Sequence, residues 1–533
     1  MLKNRIAFFI IVFSLLLTGC AKRGMVSGGP KDTIPPTITY SNPENFSTNF
    51  NGNFIKINFD EYIKVKDINK QLIISPPMKK APDIVPMGYA SKYITIKIKD
   101  TLQPNTTYSF NFGQSITDNN EFNPYSQFKY VFSTGPYIDS LKVGGVIKDA
   151  YSRKADNFVS VMLYEAEKFT DSTVFKQQPR YVTNTLDSLK VFTLENLKEG
   201  KYHVVAIKDV NNDYKFDPKT DKIAFFKDPI TIPNDTLFSL SLFKEELPFK
   251  AEKPTQETPN KLILGYEGKD PKNTKVIVKR GGETLNTIIT KFPAKDSLHI
   301  WLPKITPDSL QILVSNGNYS KEFKTKIKEQ KVKDSLSFDA KPKGSIGLRD
   351  LFTVLPSMPL TKIDEAKMKL INKDSVAVPF KTKYNDFDNA LEFDFKKEPN
   401  QKYSLTLFPG ALTDFYEKAN DTLKYSLATK SITEYGNLRV QLENVKRFPV
   451  ILEILDKNAK VIATAYSEKE TVLDFNTLEP NLYTLRLIYD DNKNRKWDTG
   501  NYLEKLQPEE VIYFINDVDV RANWDVDQVF KLD

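Results

Sequence analysis

The sequence predicts an all-β chain of tandem β-sandwich modules, and three observations carry that prediction. Short runs alternate apolar and polar residues, as in Phe54-Ile55-Lys56-Ile57-Asn58-Phe59, Tyr93-Ile94-Thr95-Ile96-Lys97-Ile98 and Lys275-Val276-Ile277-Val278-Lys279. That period of two is the signature of a half-buried strand. Asn, Gly, Asp and Pro punctuate the runs about every ten residues, as sandwich turns do, and no long stretch carries a helical stripe. Two sequence patterns each occur twice, so the chain contains an internal duplication.

Size and composition agree. At 533 residues the chain is long enough for about three to five domains. With 40% hydrophobic and 12% aromatic residues it has the material for packed cores rather than disorder. The 76 basic residues exceed the 68 acidic ones by a net charge of +8, a small excess spread along the chain. No basic stripe of the kind nucleic acids require results. One Cys and two His leave no material for zinc fingers, iron–sulfur clusters or a disulfide framework, and none for thiol catalysis after maturation.

At the N-terminus, Lys3 and Arg5 precede an apolar run from Ile6 to Leu17, the layout of a secretory signal too short to be a stable membrane span. The run ends in Leu17-Thr18-Gly19-Cys20, which resembles the lipobox of bacterial lipoproteins. That resemblance implies a signal peptide at 1–19 and lipid attachment at Cys20, with the sulfur diacylated and the new amine acylated. Each buried methylene of such chains contributes ~0.8 kcal/mol to membrane binding. Residues 20–36 contain Ala21-Lys22-Arg23-Gly24 and Ser27-Gly28-Gly29-Pro30, a flexible tether by composition. Position 21 is not Asp, so nothing resembles an inner-membrane retention signal and the outer membrane is expected. The basic residues after Cys20 leave the membrane face open.

The repeats then define modules. Pro104-Asn105-Thr106-Thr107-Tyr108-Ser109 returns as Pro399-Asn400-Gln401-Lys402-Tyr403-Ser404. Downstream, Phe128 to Thr134 returns as Leu423 to Thr429. Tyr202 to Asp209 matches Tyr483 to Asp490, and Asn211, Phe216 and Asp217 then match Asn492, Trp497 and Asp498 without a gap. The order is therefore A–B, a middle module M, then A′–B′. Module A (37–135) follows Asp32-Thr33-Ile34-Pro35-Pro36 and contains Ile57-Asn58-Phe59-Asp60-Glu61-Tyr62. With its Pro104-Asn105 motif and closing Phe132-Ser133-Thr134-Gly135, it resembles the bacterial Ig-like domain first described in S-layer proteins. Module A′ (344–431) is a divergent copy. Module B (138–246), from Val143-Gly144-Gly145-Val146 through Phe192-Thr193-Leu194-Glu195-Asn196-Leu197 to Tyr202, resembles the transthyretin-like or carboxypeptidase-regulatory-like sandwich. B′ (435–530) shares its later half. Together with the lipobox and tether, the chain resembles the Ig-like-domain lipoproteins of Bacteroidota. Ala251 to Asn260 reads as a linker, and 261–340 as a β module of no recognised family, with a hairpin turn at Arg280-Gly281-Gly282-Glu283.

The candidate sites are few. Asp209, Asn211, Asp213 and Asp217 place oxygen ligands at positions 1, 3, 5 and 9 of a potential calcium loop. The expected glycine is Tyr214, however, and position 12 is Thr220. The second copy, Asp490 to Asp498, adds Lys493, Arg495 and Lys496, which repel a divalent ion. The favoured reading of both is a structural loop closed by Asx-turns, with Phe216 or Trp497 packing beneath. His203 shares a strand face with Val205 and Ile207, and its repeat partner is Thr484, so general-base chemistry is not expected there. His299 lies in a strand-like run. With no Gly-x-Ser-x-Gly and no third His, a Ser-His-Asp hydrolase is not expected, and no carboxylate pair stands out for glycoside hydrolysis. Gly144-Gly145 and Gly281-Gly282 read as bulge and turn glycines, not phosphate loops. Phe122, Tyr125 and Phe128 form a potential exposed aromatic contact.

No catalytic, cofactor or metal residue is therefore assigned. The expectation is a noncatalytic, lipid-anchored outer-membrane protein that serves as scaffold or accessory subunit of an envelope assembly or transport machine, with envelope proteins as partners. A glycan-binding surface lipoprotein is the alternative, and a hydrolase comes third.

Overall fold

The computed structural model describes residues 31–186, 190–293, 295–330 and 334–532. Cys20, the signal segment and most of the tether lie outside them. Among the described residues no helix is long and apolar enough to cross a membrane. The chain is a series of tandem β-sandwiches.

Module A packs two sheets face to face. One runs Ile38–Asn42, Phe54–Val65, Ser91–Lys97, Asp83–Val85; the other runs Ile73–Ser75, Thr107–Asn111, Lys129–Ser133. Alternate residues of both, Ile57, Ile94 and Ile84 against Phe110 and Phe132, share one core. A′ repeats the arrangement strand for strand. Its sheets run Phe338–Lys341, Phe352–Pro356, Ala390–Phe395, Phe380–Asn385 and Met368–Ile371, Lys402–Leu407, Leu423–Ala428, with Gly344–Ser345 added at the edge.

The repeated Pro-Asn…Tyr motif does the same physical work twice. Asn105 and Asn400 take positive φ at the turn, a conformation Asn tolerates better than most residues. The Tyr108 and Tyr403 hydroxyls accept the backbone N–H of Gln103 and Glu398, at 2.9 and 2.7 Å. Thr134 and Thr429 hydroxyls in turn donate to the carbonyls of those same two residues.

B and B′ are likewise copies. In B the sheets are Tyr181–Asn184, Ser160–Glu165, Gly200–Lys208, Lys222–Phe225 and Val191–Leu197, Leu141–Asp149, Phe238–Leu242, the last strand parallel to its neighbour. In B′ they are Val461–Ser467, Val450–Leu455, Asn481–Tyr489, Val511–Tyr513 and Val472–Leu478, Gly436–Glu443, Asp525–Lys531, again ending parallel. M is a further sandwich, and its hairpin pairs Arg280 with Glu283 around Gly281 and Gly282, both at positive φ. Two glycines with φ above zero are what a two-residue hairpin turn of this kind demands.

Several expectations need correction. Ala251 to Asn260 is not a linker: Lys250–Ala251 and Thr255–Thr258 are edge strands of M, paired with Lys261–Glu267. Pro254 sits between them, where an edge tolerates a residue without an N–H. Phe338–Lys341 pairs with Phe352–Pro356, so A′ takes in residues before 344. Gly144-Gly145 is no bulge. Both sit in regular pairing with Thr193 and Phe192, and a Cβ on Gly145 would run into the carbonyl of Phe238 and come within 2.8 Å of the Phe192 ring. Tyr125 and Phe128 pack partly buried on the core of A, and exposed Phe122 is capped by the Lys66 ammonium at 3.3 Å.

The modules pack on one another. A and B are sealed by buried Asp139, which exchanges hydrogen bonds with Thr107. M meets A′ through the Tyr416 hydroxyl, which donates to Leu302 O at 2.9 Å, and A′ meets B′ through Lys430 and Glu479. B′ then returns to B. An apolar cluster joins Met162, Val205 and Phe225 of B with Tyr502 of B′ and Ile73 of A. B meets M through Lys219 and Glu267 at 3.1 Å, so contacts run B, M, A′, B′ and back to B, with A seated on B.

Candidate functional site

The Asp209 loop is built as a structural turn. Its carboxylate accepts the N–H groups of Asn211, Asn212 and Tyr214 at 2.7–3.1 Å, so three of its roughly four lone-pair sites are engaged by the loop's own backbone. Burial raises the Asp209 pKa, against the bonds from Tyr214 and Asn212. Fully buried Asp221 accepts from Val210 and Asp217. The Lys244 ammonium is buried, with no hydrogen-bond partner among the described residues, and burial lowers its pKa against the field of Asp221 and Asp217. The B′ loop copies this design. Asp490 accepts from Asn494 and Arg495, Glu509 plays the part of Asp221, and the Asn492 and Asn494 amides donate to Asp498. Among the described residues no cluster of three or more His, Cys, Asp or Glu is placed to hold a metal ion.

These loops carry the contact between the duplicated modules. Phe216 packs into the shared cluster, and Trp497 lies 4.5 Å from Tyr151 of B. Tyr502, on the B′ chain beyond the loop, inserts among Phe225, Phe175 and Phe216 with centroids 5.1–6.4 Å away. Its backbone N–H donates to Glu245, and Thr499 donates to Lys244 O.

A polar clasp sits at the centre. Arg486 is 3% exposed; its guanidinium binds Glu453 at 2.6 Å, donates to the Tyr151 and Tyr513 hydroxyls, and lies 3.9 Å over the Tyr151 ring. Burial opposes its charge, yet the bonds to Tyr513 and Glu453 hold its pKa above the ordinary arginine value. Tyr513 donates to the Tyr151 carbonyl at 2.7 Å. Outside the clasp, Arg153 reaches Asp517 at 2.7 Å and the Ile515 carbonyl.

Beside the clasp a groove of about 820 Å³ opens between B and B′. Its B wall includes Lys148, Asp149, Arg153 and Lys190; its B′ wall includes Val511 to Ile515 and Val529 to Lys531. Ile515, 82% exposed, stands at its rim.

Neither histidine belongs to this groove. His203 stacks on Phe169 at 4.1 Å, and burial lowers its pKa; it shares a small cavity with Tyr502 and Lys505, so the face it shares with Val205 is covered by B′. In M, burial and then Lys261 depress His299 to about 4. Its Nε2 approaches Glu257 to 3.4 Å without hydrogen-bond geometry.

The groove and clasp were not foreseen from sequence, although one signal was available. The repeat aligns Val205 with Arg486. An arginine at an apolar strand position must have partners, and here Glu453 and Tyr513 supply them within B′ and Tyr151 from the opposite module.

Residues 32–134 match the family described as bacterial Ig-like domain. No curated protein matches the chain. Solved structures that align with it include surface layer protein SbsC, domains 1–6, at 10% identity over 91% of this chain and 67% of that one, TM-score 0.16. The major pilin subunit BcpA of Bacillus cereus aligns at 9% identity over 73% and 99%, TM-score 0.14. The Bacillus anthracis TIE protein aligns at 13% over 95% and 76%, TM-score 0.14. Similarity at that level carries no argument about function.

Proposed function

We propose that this protein is a noncatalytic, lipid-anchored scaffold of the bacterial outer membrane, of the kind found in Bacteroidota lipoproteins, holding a partner in an envelope assembly or transport machine. The observation that carries the reading is the return of B′ onto B. A clasp around a buried arginine ties the duplicated sandwiches into one body with an open groove, which suits a rigid docking frame. The buried polar groups of the clasp and of both Asp loops are spent on structural bonds, leaving them no chemistry to perform. Affinity purification from gently solubilised outer membranes, followed by mass spectrometry, tests it. The expected result is a stoichiometric envelope protein in the wild-type eluate; recovery of the chain alone overturns the scaffold reading. Labelling with radioactive palmitate, lost in Cys20→Ala, tests the anchor.

A glycan-binding role has one observation in its favour. On the outer face of module A, exposed Tyr40 and Tyr93 flank Asn58 in one cross-strand row, an aromatic pair of the kind that sugars stack on. Glycan-array binding lost in Tyr93→Ala with the fold intact would favour it over the scaffold.

A further inference from the structure

A duplicated fold separates what a sandwich needs from what one copy has added. In module A, the sheet of Ile38–Asn42, Phe54–Val65, Ser91–Lys97 and Asp83–Val85 turns its apolar residues inward. Module B packs on the other sheet of A, where Val182 donates to Ser75 and Lys129 pairs with Glu195. The outer face of the first sheet therefore points away from B.

In A this face is aromatic. Tyr40, Asn58 and Tyr93 stand in one cross-strand row, and alternation along the central strand turns Phe54 and Tyr62 the same way. The four rings are 43–59% exposed. The turn between Asp83–Val85 and Ser91–Lys97 adds Met87 and Tyr89, also exposed. A′ builds the same sheet without any of this: an outward row there runs Lys341, Thr353, Glu392, Lys383. Exposed rings are thus no requirement of the fold, and a contiguous patch of them marks a contact surface.

Charge selects the occupant. The Lys56 ammonium lies 4.2 Å from the centre of the Tyr93 ring and that of Lys92 5.4 Å from the centre of Tyr62, while Lys97 stands opposite Phe54. The carboxylates of the face are engaged, Asp60 by the Thr37 N–H and hydroxyl and Asp83 by Lys99. Tyrosines beside long-stemmed lysines are the composition of a membrane–water interface, where the cations meet lipid phosphates. Sugar stacking needs a free ring face, and on Tyr93 and Tyr62 a cation already sits over one. Position agrees with lipid. The strand carrying Tyr40 begins at Ile38, and the roughly 18 residues back to Cys20 span at most about 65 Å. A lipid at Cys20 would hold this sheet near the bilayer at high effective concentration, so a weak surface contact suffices.

We propose that the outer face of module A, built on Tyr40, Phe54, Tyr62 and Tyr93 with Lys56 and Lys97, lies on the anionic phospholipid surface in which the chain is anchored. The inference rests on lipid attachment at Cys20 and points module B away from the bilayer.

The test is cosedimentation of the mature chain from Ala21, which keeps every described residue and carries no lipid. The vesicles are phosphatidylcholine alone or phosphatidylcholine with about 30% phosphatidylglycerol. Binding is expected to the anionic vesicles only, falling about tenfold or more between about 50 and 500 mM salt. K56E/K97E is expected to weaken it about tenfold or more, and Y40S/Y93S about threefold or more, each at unchanged melting temperature. The outward charges of A′ show that this sheet tolerates such residues. Equal binding to neutral vesicles, or unchanged binding in folded K56E/K97E, overturns the proposal. Absence of vesicle binding together with glycan-array binding lost in Tyr93→Ala assigns the face to sugars and overturns it too. Palmitate labelling reads the anchor separately. Label at Cys20 without vesicle binding leaves the anchor and removes this face; vesicle binding without label leaves the face and removes the anchor.

Discussion

Arg486 shows how one side chain ties two modules together. Its charge is compensated by Glu453 within B′ and by Tyr151 across the interface, and removing one partner of a buried ion pair leaves the other uncompensated. Arg486→Ala is expected to cost about 3 kcal/mol, read as a lower melting temperature together with a larger radius of gyration by X-ray scattering. His299 sets an acid limit. Its folded pKa of about 4 lies below the ordinary histidine value, so between about pH 6.5 and 4 the unfolded chain binds a proton that the folded chain refuses. Stability is full above that window and falls as pH drops through it, by an amount of order 2 kcal/mol. A melting curve against pH is expected to flatten in that window in His299→Gln. At the loops, Asp209→Ala strips the acceptor from three backbone N–H groups and is expected to lose about 2 kcal/mol. Calcium or EDTA is expected to leave the wild-type melting temperature unchanged, and a calcium-dependent rise would overturn the structural reading of the loop.

Strands and turns carry the second level of specification. The Tyr108 and Tyr403 hydroxyls anchor equivalent turns in A and A′, so each Tyr→Phe change is expected to cost about 1 kcal/mol in its own module. Denaturant melts of the two variants check the equivalence. Gly145 answers a different need, because the neighbouring strand carries the Phe238 carbonyl against its Cα. Gly145→Ala is expected to destabilise B by about 1–3 kcal/mol through overpacking, a larger effect than helix or strand propensity would suggest. The spacing that places these residues was legible in the chain, since turn chemistry and period-two alternation are local. The edge strands Lys250–Ala251 and Thr255–Thr258 were not, because their few polar residues and Pro254 have the composition of a linker. Only pairing with Lys261–Glu267 makes them strands.

For the molecule as a whole, the closure of B′ onto B decides how the duplicated halves behave. Gly500 lies against the Phe243 ring across that interface, where a Cβ would come within 2.7 Å. Gly500→Val is expected to split a coupled B and B′ unfolding transition into two in differential scanning calorimetry, while each sandwich keeps its own core.

The chain by itself determined that it would be all-β, that A and B would recur as A′ and B′, and that the aspartate loops would close on their own backbone. All of these depend on residues near one another in sequence or repeated at a fixed offset. Tertiary structure alone decided that the halves fold back on each other and that Arg486 finds Tyr151. Those outcomes depend on partners some three hundred residues apart, and nothing in a local pattern encodes which surface meets which.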